Sequence, residues 1–427
     1  MKASSEGDTW DVAVIGGGPA GMMAAGRAAE LGARVVLLEK NPTPGKKLLI
    51  TGGGRCNVTN AEPDVRKMLA KYKSGGKFLA SPFSLWNAQS TVDFFEKRGV
   101  AIKVEAEQRA FPVSDSARSI YDALVSRLKE TGVTVMTDSA VKSLDAEDGM
   151  IADAKLRSGA RIRARTFILA TGGVSRPETG STGDGFAMLR ALGHTVDESG
   201  GALVPIVLKK SPLVRAAGVA LKEAKLTVLQ DDIKQDVQTG KLLFTHVGLS
   251  GPLALNASRT VGELLVHGPV SLEIDLMPDA GYEKIDALLQ EHIRTNANKM
   301  IRNSFGTLLP PALVPALLET SGIQPEKLSN SVTRTERIRL MKTLKHLRVE
   351  VERLLGLDKA VVTSGGLSLT EVDFKTMRSM KYTNLFVTGD ILDIERPSGG
   401  YSLQICWTTG FVAGSSAAAL TKESHSR

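Results

Sequence analysis

The chain has 427 residues, 42% of them hydrophobic and 23% charged, a composition typical of a globular protein with two or three domains. Its net charge of +8 suits anionic ligands but does not separate nucleotide cofactors from RNA. No apolar run approaches the roughly 20 residues of a membrane helix, and the polar start of the chain does not resemble a signal peptide. We therefore expect a cytoplasmic protein that does not span a membrane. Two cysteines and six scattered histidines predict neither a disulfide framework nor a metal site.

The first forty residues predict a nucleotide-binding β-α-β unit. A short, mostly β-branched run at 11–15 leads into the pattern G-x-G-x-x-G at 16–21. A helical segment follows at 22–31, and a second apolar strand at 34–38 ends at Glu39. Because strand, glycine pattern, helix, strand and acid occur in this order, we interpret the segment as a dinucleotide site and not as an ordinary turn.

Each glycine of that pattern has a separate physical role. Gly16 permits the tight turn, Gly18 lets the backbone approach a pyrophosphate, and Gly21 lets the helix pack closely on the strand. The helix N-terminus offers free N–H groups and a partial positive charge to the phosphates. Glu39 is expected to accept hydrogen bonds from the adenosine ribose, which disfavours a 2′-phosphate at this position.

Two later segments repeat the strand-to-glycine design and favour FAD over NAD. Residues 167–173 and 384–390 are apolar strands that end in small residues, and the second terminates at Asp390. Asp390 is expected at a hydroxyl of the ribityl chain or the ribose. Residues 399–404 then lead into a helix expected over about 405–418, which is rich in small residues. Its N-terminus suits the flavin N1–C2=O2 edge, which becomes anionic on reduction.

Residues 45–60, GKKLLITGGGRCNVTN, resemble the signature G-(R/K)-K-x-x-x-(S/T)-G-x-G-R-C-N-x-T-N. This signature is typical of a bacterial family of NAD(P)/FAD-dependent oxidoreductases that are aminoacetone-oxidase-like or 3-dehydro-bile-acid Δ4,6-reductase-like. The resemblance extends from about residue 10 to residue 418, through further similar segments at 171–185, 243–252, 363–367 and 389–404.

The chain departs from the family pattern at three positions. Asp390 stands where the family usually has Glu, which keeps the charge and should preserve cofactor binding. Ser402 stands where the family has Asn, and Met380 stands where it has Lys. The last two changes affect positions that we expect to bear on substrate or partner preference.

The resemblance implies an α/β fold, in which a Rossmann-like FAD-binding domain of the glutathione-reductase type is interrupted by a β-rich insertion carrying a helical subdomain. The hydrophobic patterns agree, with β-type runs at 203–208, 225–229 and 270–276 and a helical pattern from 282 to 355. We therefore expect an FAD-binding domain at 10–195 and 363–420, a β-rich insertion at 196–280 and 349–362, and a helical subdomain at 281–348.

The residues expected to contact FAD lie at the three strand ends, in the signature loop and at the start of the last helix. Cys56 in that loop has two interpretations, a redox-active thiol or a small buried residue, and the second is favoured. The expected cofactor-binding residues are Gly16, Gly18, Pro19, Ala20, Gly21, Glu39, Lys40, Lys47, Gly54, Arg55, Cys56, Asn57, Ala170, Thr171, Gly172, Gly389, Asp390, Gly399, Gly400, Tyr401 and Gln404.

Two residues are candidate catalytic groups. His246 follows a β-type run, and a histidine that titrates near neutrality is a natural proton donor. Tyr401 follows the glycines expected near the flavin and is placed to donate a hydrogen bond to the substrate. Each has an alternative structural role, as a loop histidine bonded to backbone and as a ring packed on the last helix.

The expected function is reduction of an activated C=C or carbonyl in a small organic substrate by FAD, with NAD(P)H as the donor. Only one strand-linked fingerprint is present, so the nicotinamide is expected to dock transiently over the flavin. One alternative is a flavin oxidase that acts on an amine. Another is an RNA-binding or tRNA-modifying flavoprotein, because the segment 334–348 predicts a helix with a basic outer face. We expect that face to be a solvated surface, with RNA or a phosphorylated ligand as the other use.

Overall fold

The computed structural model describes residues 9–197, 203–305, 308–356 and 365–423. The first two residues of the segment 363–367, Thr363 and Ser364, lie outside the described residues. The chain forms two compact units: unit 1 comprises Met1–Gly200 and Val362–Arg427, and unit 2 comprises Gly201–Val361. None of the helices in the described ranges is long and apolar enough to cross a membrane.

The strands and helices are labelled in chain order. The strands are β1 (Trp10–Ile15), β2 (Val35–Leu38), β3 (Thr59–Asn60), β4 (Ile102–Glu105), β5 (Arg109–Pro112), β6 (Thr134–Met136), β7 (Val141–Glu147), β8 (Met150–Leu156), β9 (Arg161–Leu169), β10 (Val196–Asp197), β11 (Ile206–Leu208), β12 (Ala220–Gln230), β13 (Ile233–Thr245), β14 (Gly248–Ser250), β15 (Ser271–Asp275), β16 (Leu347–Leu354), β17 (Gly366–Leu367), β18 (Val372–Asp373), β19 (Arg378–Ser379) and β20 (Leu385–Val387). The helices are α1 (Pro19–Glu30), α2 (Val65–Ala70), α3 (Gly75–Leu85), α4 (Ala88–Lys97), α5 (Ala117–Glu130), α6 (Asp184–Ala191), α7 (Gly251–Leu265), α8 (Tyr282–Thr295), α9 (Val314–Thr320), α10 (Arg334–Lys345) and α11 (Tyr401–Glu423).

Unit 1 is built on a sheet with β1 near its centre. The strand order is β18-β19-β20-β9-β1-β2-β6, and the pairs β20/β9, β9/β1, β1/β2 and β2/β6 are parallel. A parallel strand with both faces covered must be apolar along its whole length, and Val12, Ala13 and Val14 of β1 are fully buried. The carboxyl ends of β1, β9 and β20 therefore meet at one edge of the sheet, as the three glycine-bearing segments predicted.

Helices α1 and α11 pack against each other at glycines. A Cβ atom at Gly410 would lie 2.6 Å from the Ala20 carbonyl oxygen, and one at Gly414 would lie 2.4 Å from that of Ala24. Only glycine permits this approach, as the small residues of the expected last helix indicated. Helix α11 starts at Tyr401, four residues before its expected start near 405.

A three-stranded antiparallel sheet, β3-β5-β4, lies in unit 1 apart from the main sheet. Its short strand β3 is the Thr59-Asn60 end of the signature, and both residues are buried. Asn60 pairs with Arg109 at the start of β5. The signature loop is thus fixed at its end by a sheet and not only by its glycines.

Unit 2 contains a closed barrel of six strands, in the order β11-β14-β13-β12-β15-β16, with helices α7 to α10. One continuous apolar core includes residues of the barrel and of the helices, among them Phe244, Leu289 and Leu317. The expected helical pattern over 282–355 is wrong at its end, because 347–354 is strand β16. Leu347, Val349 and Val351 are buried while the residues between them are exposed, which is the period-two pattern of a strand.

The expected fold class is confirmed: unit 1 is a Rossmann-like domain, and the insertion is a small barrel with helices. Helix α7 was not expected. It begins at Gly251, directly after the short strand β14, and Pro252 occupies its first turn, where the missing N–H has no cost.

Candidate functional site

In the glycine-rich loop between β1 and α1, Gly18 is the glycine that has open space beside its Cα atom, whereas Gly16 and Gly21 are closely packed. A Cβ atom at Gly16 would lie 2.6 Å from the Ala170 carbonyl oxygen, and one at Gly21 would lie 1.9 Å from the Gly16 carbonyl oxygen. By contrast, no heavy atom lies within 4 Å of a Cβ atom built on Gly18. Pro19 and Ala20 follow as the first residues of α1, so the free N–H groups of its first turn face this space. The loop therefore fits a pyrophosphate.

Glu39 is held at the end of β2 by hydrogen bonds from backbone and side-chain N–H groups. Its Oε2 accepts from the Gly17 backbone N–H at 2.8 Å, and its Oε1 accepts from the N–H groups of Asn41 at 2.7 Å. The carboxylate is buried beside the phosphate loop, where the ribose prediction needs it. Lys40 points elsewhere, since its Nζ donates to Thr182 at 2.6 Å and pairs with Asp184 at 2.7 Å.

The end of β9 packs against the phosphate loop. The Ala170 N–H donates to the Ile15 carbonyl at 2.8 Å, which ties this strand end to the end of β1. Gly172 has a φ of 71°, a conformation that favours glycine. The Thr171 hydroxyl is buried and has no hydrogen-bond partner among the residues that the structure describes. A buried polar atom without a partner is uncommon, so Thr171 is positioned to bond a group supplied by a ligand.

Asp390 lies between two cations at the end of β20. Arg396 Nη2 is 2.5 Å from one carboxylate oxygen and Lys47 Nζ is 3.6 Å from the other, while Lys47 also donates to Ser175 Oγ at 2.7 Å. Burial alone would raise the pKa of Asp390, but Arg396 and Lys47 hold that pKa below its ordinary value of 3.8. Asp390 is therefore an anion and can accept hydrogen bonds from ribityl or ribose hydroxyls.

Gly389 brings the end of β20 against the phosphate loop. Its φ is 83°, and a Cβ atom there would lie 2.7 Å from Ala20 Cβ. The ends of β9 and β20 thus contact the G-x-G-x-x-G segment that follows β1. The three strand ends that were predicted to converge therefore lie together in unit 1.

The start of α11 is clamped by the signature loop. A Cβ atom at Gly400 would lie 2.3 Å from the carbonyl carbon of Thr59, so glycine is required there. With its amide oriented to match its partners, Asn57 accepts from the Gly400 N–H at 3.0 Å and donates to the carbonyls of Thr59 and Ala110 at 3.0 and 3.1 Å. Asn60 donates to the Gly399 carbonyl at 3.3 Å.

Gln404 lies in a buried network and faces protein groups. Its Oε1 accepts from Thr59 at 2.6 Å and from Thr91 at 3.0 Å, and its Nε2 donates to Thr408 at 3.0 Å. The side chain is 0% exposed. The structure thus places Gln404 behind the start of α11, and its contact with a cofactor stays a prediction.

The first part of the signature loop is more exposed. Gly54 has open space around its Cα, with a φ of 86°. Arg55 forms ion pairs with Glu105 and Asp115, each at 2.5 Å, and these carboxylates raise its pKa above the usual range. Its guanidinium also lies over the Phe111 ring. The structure therefore directs Arg55 to its own sheet, and a contact with the cofactor stays a prediction.

Cys56 is fully buried, and burial raises the pKa of its thiol to about 12. Cys406 is also buried and free, and its pKa is raised for the same reason. Neither thiol has the lowered pKa of a nucleophile. This favours the interpretation of Cys56 as a small buried residue, which here adopts a left-handed φ of 61°.

The two candidate catalytic residues occupy different units. Tyr401 is the first residue of α11 in unit 1, with its ring edge-on to Tyr72 at 5.7 Å between centroids. His246 is exposed, in the turn between β13 and β14 of unit 2. Within unit 1, Tyr401 therefore lies at the start of α11 beside Tyr72, whereas His246 belongs to unit 2, and the catalytic role of each stays a prediction.

Four residues near the site were not predicted from the sequence: Arg396, Ser175, Asn60 and Arg109. Thr171 was predicted, but its unpaired hydroxyl was not. Arg396 follows Asp390 by six residues in an irregular segment, and no periodic pattern marks it. Asn60 was visible as the last residue of the signature, and its polar side chain next to a strand was a usable signal. The pairing of Asn60 with Arg109 joins positions 49 apart, so only the fold shows it.

Comparisons with known proteins agree with this geometry. Residues 10–416 match the family model described as the HI0933-like protein Rossmann domain. A 3-dehydro-bile acid delta(4,6)-reductase of Clostridium scindens is 31% identical over 95% of this chain and 98% of its own length. A ribosomal RNA dihydrouridine synthase of Escherichia coli is 30% identical over 95% of this chain and 97% of its own length.

Solved structures show the same fold at lower identity. The open conformation of a flavocytochrome c3 fumarate reductase superposes with a TM-score of 0.54, 18% identity, and coverage of 97% of this chain and 79% of that chain. A 3-ketosteroid-delta4-(5alpha)-dehydrogenase of Rhodococcus jostii RHA1 superposes with a TM-score of 0.54 and 17% identity, and the match covers 98% of this chain and 99% of that chain. Because the family model and both relatives cover almost the whole chain, this protein belongs to the HI0933-like Rossmann-domain family of FAD-dependent oxidoreductases.

Proposed function

We propose that this protein reduces a C=C bond conjugated to a carbonyl group in a small organic molecule, with FAD as the cofactor and NAD(P)H as the electron donor. The proposal is supported by the residues of unit 1 that fit FAD together with two relatives, at 31% and 30% identity, which are named a delta(4,6)-reductase and a dihydrouridine synthase. A Δ4,6-reductase saturates ring double bonds, and dihydrouridine is uridine with a saturated ring bond.

The overall reaction balances as NAD(P)H, one proton and the C=C bond giving NAD(P)⁺ and the saturated product. Bound FAD supplies hydride transfer. The chain's own residues would position the cofactor and supply an electrostatic field around it. The Gly18 loop and Glu39 would hold the adenosine diphosphate end of FAD, and anionic Asp390 would orient the hydroxyls of its central chain. The N-terminus of α11 would offer a partial positive charge to the flavin.

NAD(P)H is the proposed donor, and the described residues offer one strand-linked glycine fingerprint, which FAD would occupy. The nicotinamide would then dock over the flavin without a Rossmann site of its own. The test is anaerobic mixing of the purified flavoprotein with NADPH and with NADH, observed by flavin absorbance. Bleaching by either supports the proposal. Persistent oxidised flavin with both, together with bleaching by a primary amine, would replace it by the amine oxidase.

A second candidate substrate is RNA, and specific observations favour it. Two relatives are named ribosomal RNA dihydrouridine synthases, at 30% and 26% identity. On helix α10, Arg334, Arg339 and Lys342 are exposed and have no ion-pair partner among the described carboxylates. Nevertheless, Arg337 pairs with Asp286 and Lys345 pairs with Asp275. Arg348 pairs with Asp232, so half of the six basic side chains over 334–348 are neutralised.

The two substrates are separated by one competition experiment. The reduced flavoprotein is offered a conjugated steroid ketone or ribosomal RNA stripped of its proteins, and the products are analysed for a mass gain of two hydrogen atoms. We expect the ketone to reoxidise the flavin and gain the hydrogens. Reduction of uridine in the RNA, with no reaction of the ketone, would assign the RNA function instead.

A further inference from the structure

The space beside Gly399 in unit 1 accommodates a Cβ atom between Tyr401 and Arg109, and we call this space the Gly399 recess. A Cβ atom built on Gly399 would lie 3.6 Å from Tyr401 Cε2 and 3.9 Å from Arg109 Nε. Gly399 has a φ of 117°, and its carbonyl accepts from Asn60 Nδ2 at 3.3 Å. The recess therefore lies at the start of α11, next to the position expected for the flavin.

Arg109 has unused hydrogen-bonding capacity at this recess. Its Nη2 forms an ion pair with Glu107, which is its only hydrogen-bond partner within the described ranges. Its Nε is buried without a partner, while 22% of the whole side chain remains exposed. A guanidinium carries five N–H donors in a planar fork, so most of them await an acceptor. A ligand oxygen can serve as such an acceptor.

The backbone that presents Arg109 is strained and is held in place. Glu107 and Gln108, directly before it, have φ values of 60° and 58°, which non-glycine residues rarely adopt. Asn60 Nδ2 donates to the Glu107 carbonyl at 2.9 Å, and the Ala61 N–H donates to the Gln108 carbonyl at 2.6 Å. Consecutive strained residues that persist under such restraint are typical of functional sites.

Tyr401 is the second donor at the recess. In the described structure its hydroxyl has no hydrogen-bond partner, although the ring is buried against Tyr72. Burial raises the pKa of the Tyr401 phenol, Glu62 and Glu107 add to the rise, and Arg109 opposes it. The phenol is therefore protonated at neutral pH and can donate its proton to a hydrogen bond.

We propose that Arg109 and Tyr401 bind the carbonyl oxygen of the substrate and stabilise the enolate that forms during its reduction. This inference rests on the proposed function. The hydride and its electron pair add to the β-carbon, the π electrons move to the carbonyl oxygen, and a proton from water then adds to the α-carbon. NAD(P)H is oxidised to NAD(P)⁺ as the C=C bond gains two hydrogens. A guanidinium and a phenol are the donors that such an oxyanion needs.

The test uses the FAD-loaded protein and 4-nitrophenolate, whose conjugated oxyanion mimics the enolate and whose absorbance reports binding. We expect Arg109→Gln and Tyr401→Phe each to weaken phenolate binding at least about tenfold. Arg118→Gln is the matched control, because it removes an exposed arginine of the same unit that pairs only locally with Asp122. For a conjugated ketone, kcat/KM should fall in both test variants and should stay within about twofold of the wild-type value in Arg118→Gln.

Equal phenolate affinity in the wild type and in Arg109→Gln would overturn the inference. A shifted flavin reduction potential in Arg109→Gln, with phenolate binding unchanged, would also overturn it by assigning Arg109 to the cofactor. If Arg109→Gln does not retain flavin, the phenolate affinities of Arg109→Lys and Tyr401→Phe are compared with that of the wild type instead, and equal affinities would overturn the inference. A wild type that reduces no conjugated ketone defeats the proposed function instead, and the phenolate titration still reports on the recess.

Discussion

Replacing Gly18 by alanine should weaken FAD binding while leaving the stability of the cofactor-free protein unchanged. Gly18 has ordinary dihedral angles, φ −73° and ψ −177°, that alanine adopts without strain. No heavy atom lies within 4 Å of the added Cβ atom. The methyl group would instead occupy the space expected for the pyrophosphate. Moving the phosphates off the α1 N-terminus should raise the Kd for FAD at least about tenfold, or ~1.4 kcal/mol.

Gly21→Ala is the matched variant with the opposite expectation. Its Cβ atom would lie 1.9 Å from the Gly16 carbonyl oxygen, which is backbone and cannot turn aside. Overpacking of this kind costs about 1–3 kcal/mol. For a unit of this size each kcal/mol corresponds to about 2–4 °C in Tm. We therefore expect the apoprotein's Tm to fall by roughly 2–12 °C.

The assay has two readouts for each variant. Thermal unfolding of the FAD-stripped protein, followed by circular dichroism, measures stability, and quenching of flavin fluorescence measures the Kd for FAD. If Gly18→Ala binds FAD as tightly as the wild type, the pyrophosphate does not lie on this loop. If Gly21→Ala leaves the apoprotein's Tm unchanged, the argument from close strand–helix packing is refuted.

Three further outcomes follow from the buried groups. Gln404→Leu removes three buried hydrogen bonds and should lower the free energy of unfolding by about 3 kcal/mol. The control Gln89→Leu, at an exposed position, should change that free energy by less than about 0.5 kcal/mol. Equal Tm values for the two variants would contradict the expectation. Burial opposes the shift, but hydrogen bonds from His194 and its neighbours hold the pKa of Glu371 at about 2, below its ordinary 4.5. Its stabilisation is therefore full above about pH 4.5 and is lost as pH falls toward 2, so the Tm difference between wild type and Glu371→Gln should shrink in acid. With its pKa raised to about 12, Cys56 should resist alkylation in the native protein at neutral pH, and Cys56→Ala should keep flavin reduction by NAD(P)H.

The strand ends could be predicted because their causes are local. Gly16, Gly18 and Gly21 are placed by the geometry of a single turn, and the apolar run of β1 follows from burial on both faces of a parallel sheet. The same reasoning located the ends of β9 and β20. That these ends converge follows from parallel pairing alone, which short apolar strands with intervening helices favour.

Other features were beyond the sequence because their partners are remote. The ion pairs of Arg55 with Glu105 and Asp115, 50 and 60 residues later, could not be read from the sequence, and its contact with the cofactor stays a prediction. The buried bond of Gln404 to Thr59, 345 residues earlier, was equally invisible, and its contact with FAD also stays a prediction. Strand β16 was taken for helix because Leu344 and Leu347 continue a helical spacing from α10, and only closure of the barrel makes 347–354 extended.

The polar residues at the end of the signature hold the start of α11 in place. Asn57 bonds the Gly400 N–H, Thr59 bonds Gln404, and Asn60 bonds the Gly399 carbonyl. Helix α11 is fixed independently on α1 by the close contacts at its glycines. The phosphate loop and the expected flavin end are therefore positioned by one rigid helix that is held at two points. It follows that a change at Asn57 should disturb the flavin end through Gly400, even though its own side chain faces protein.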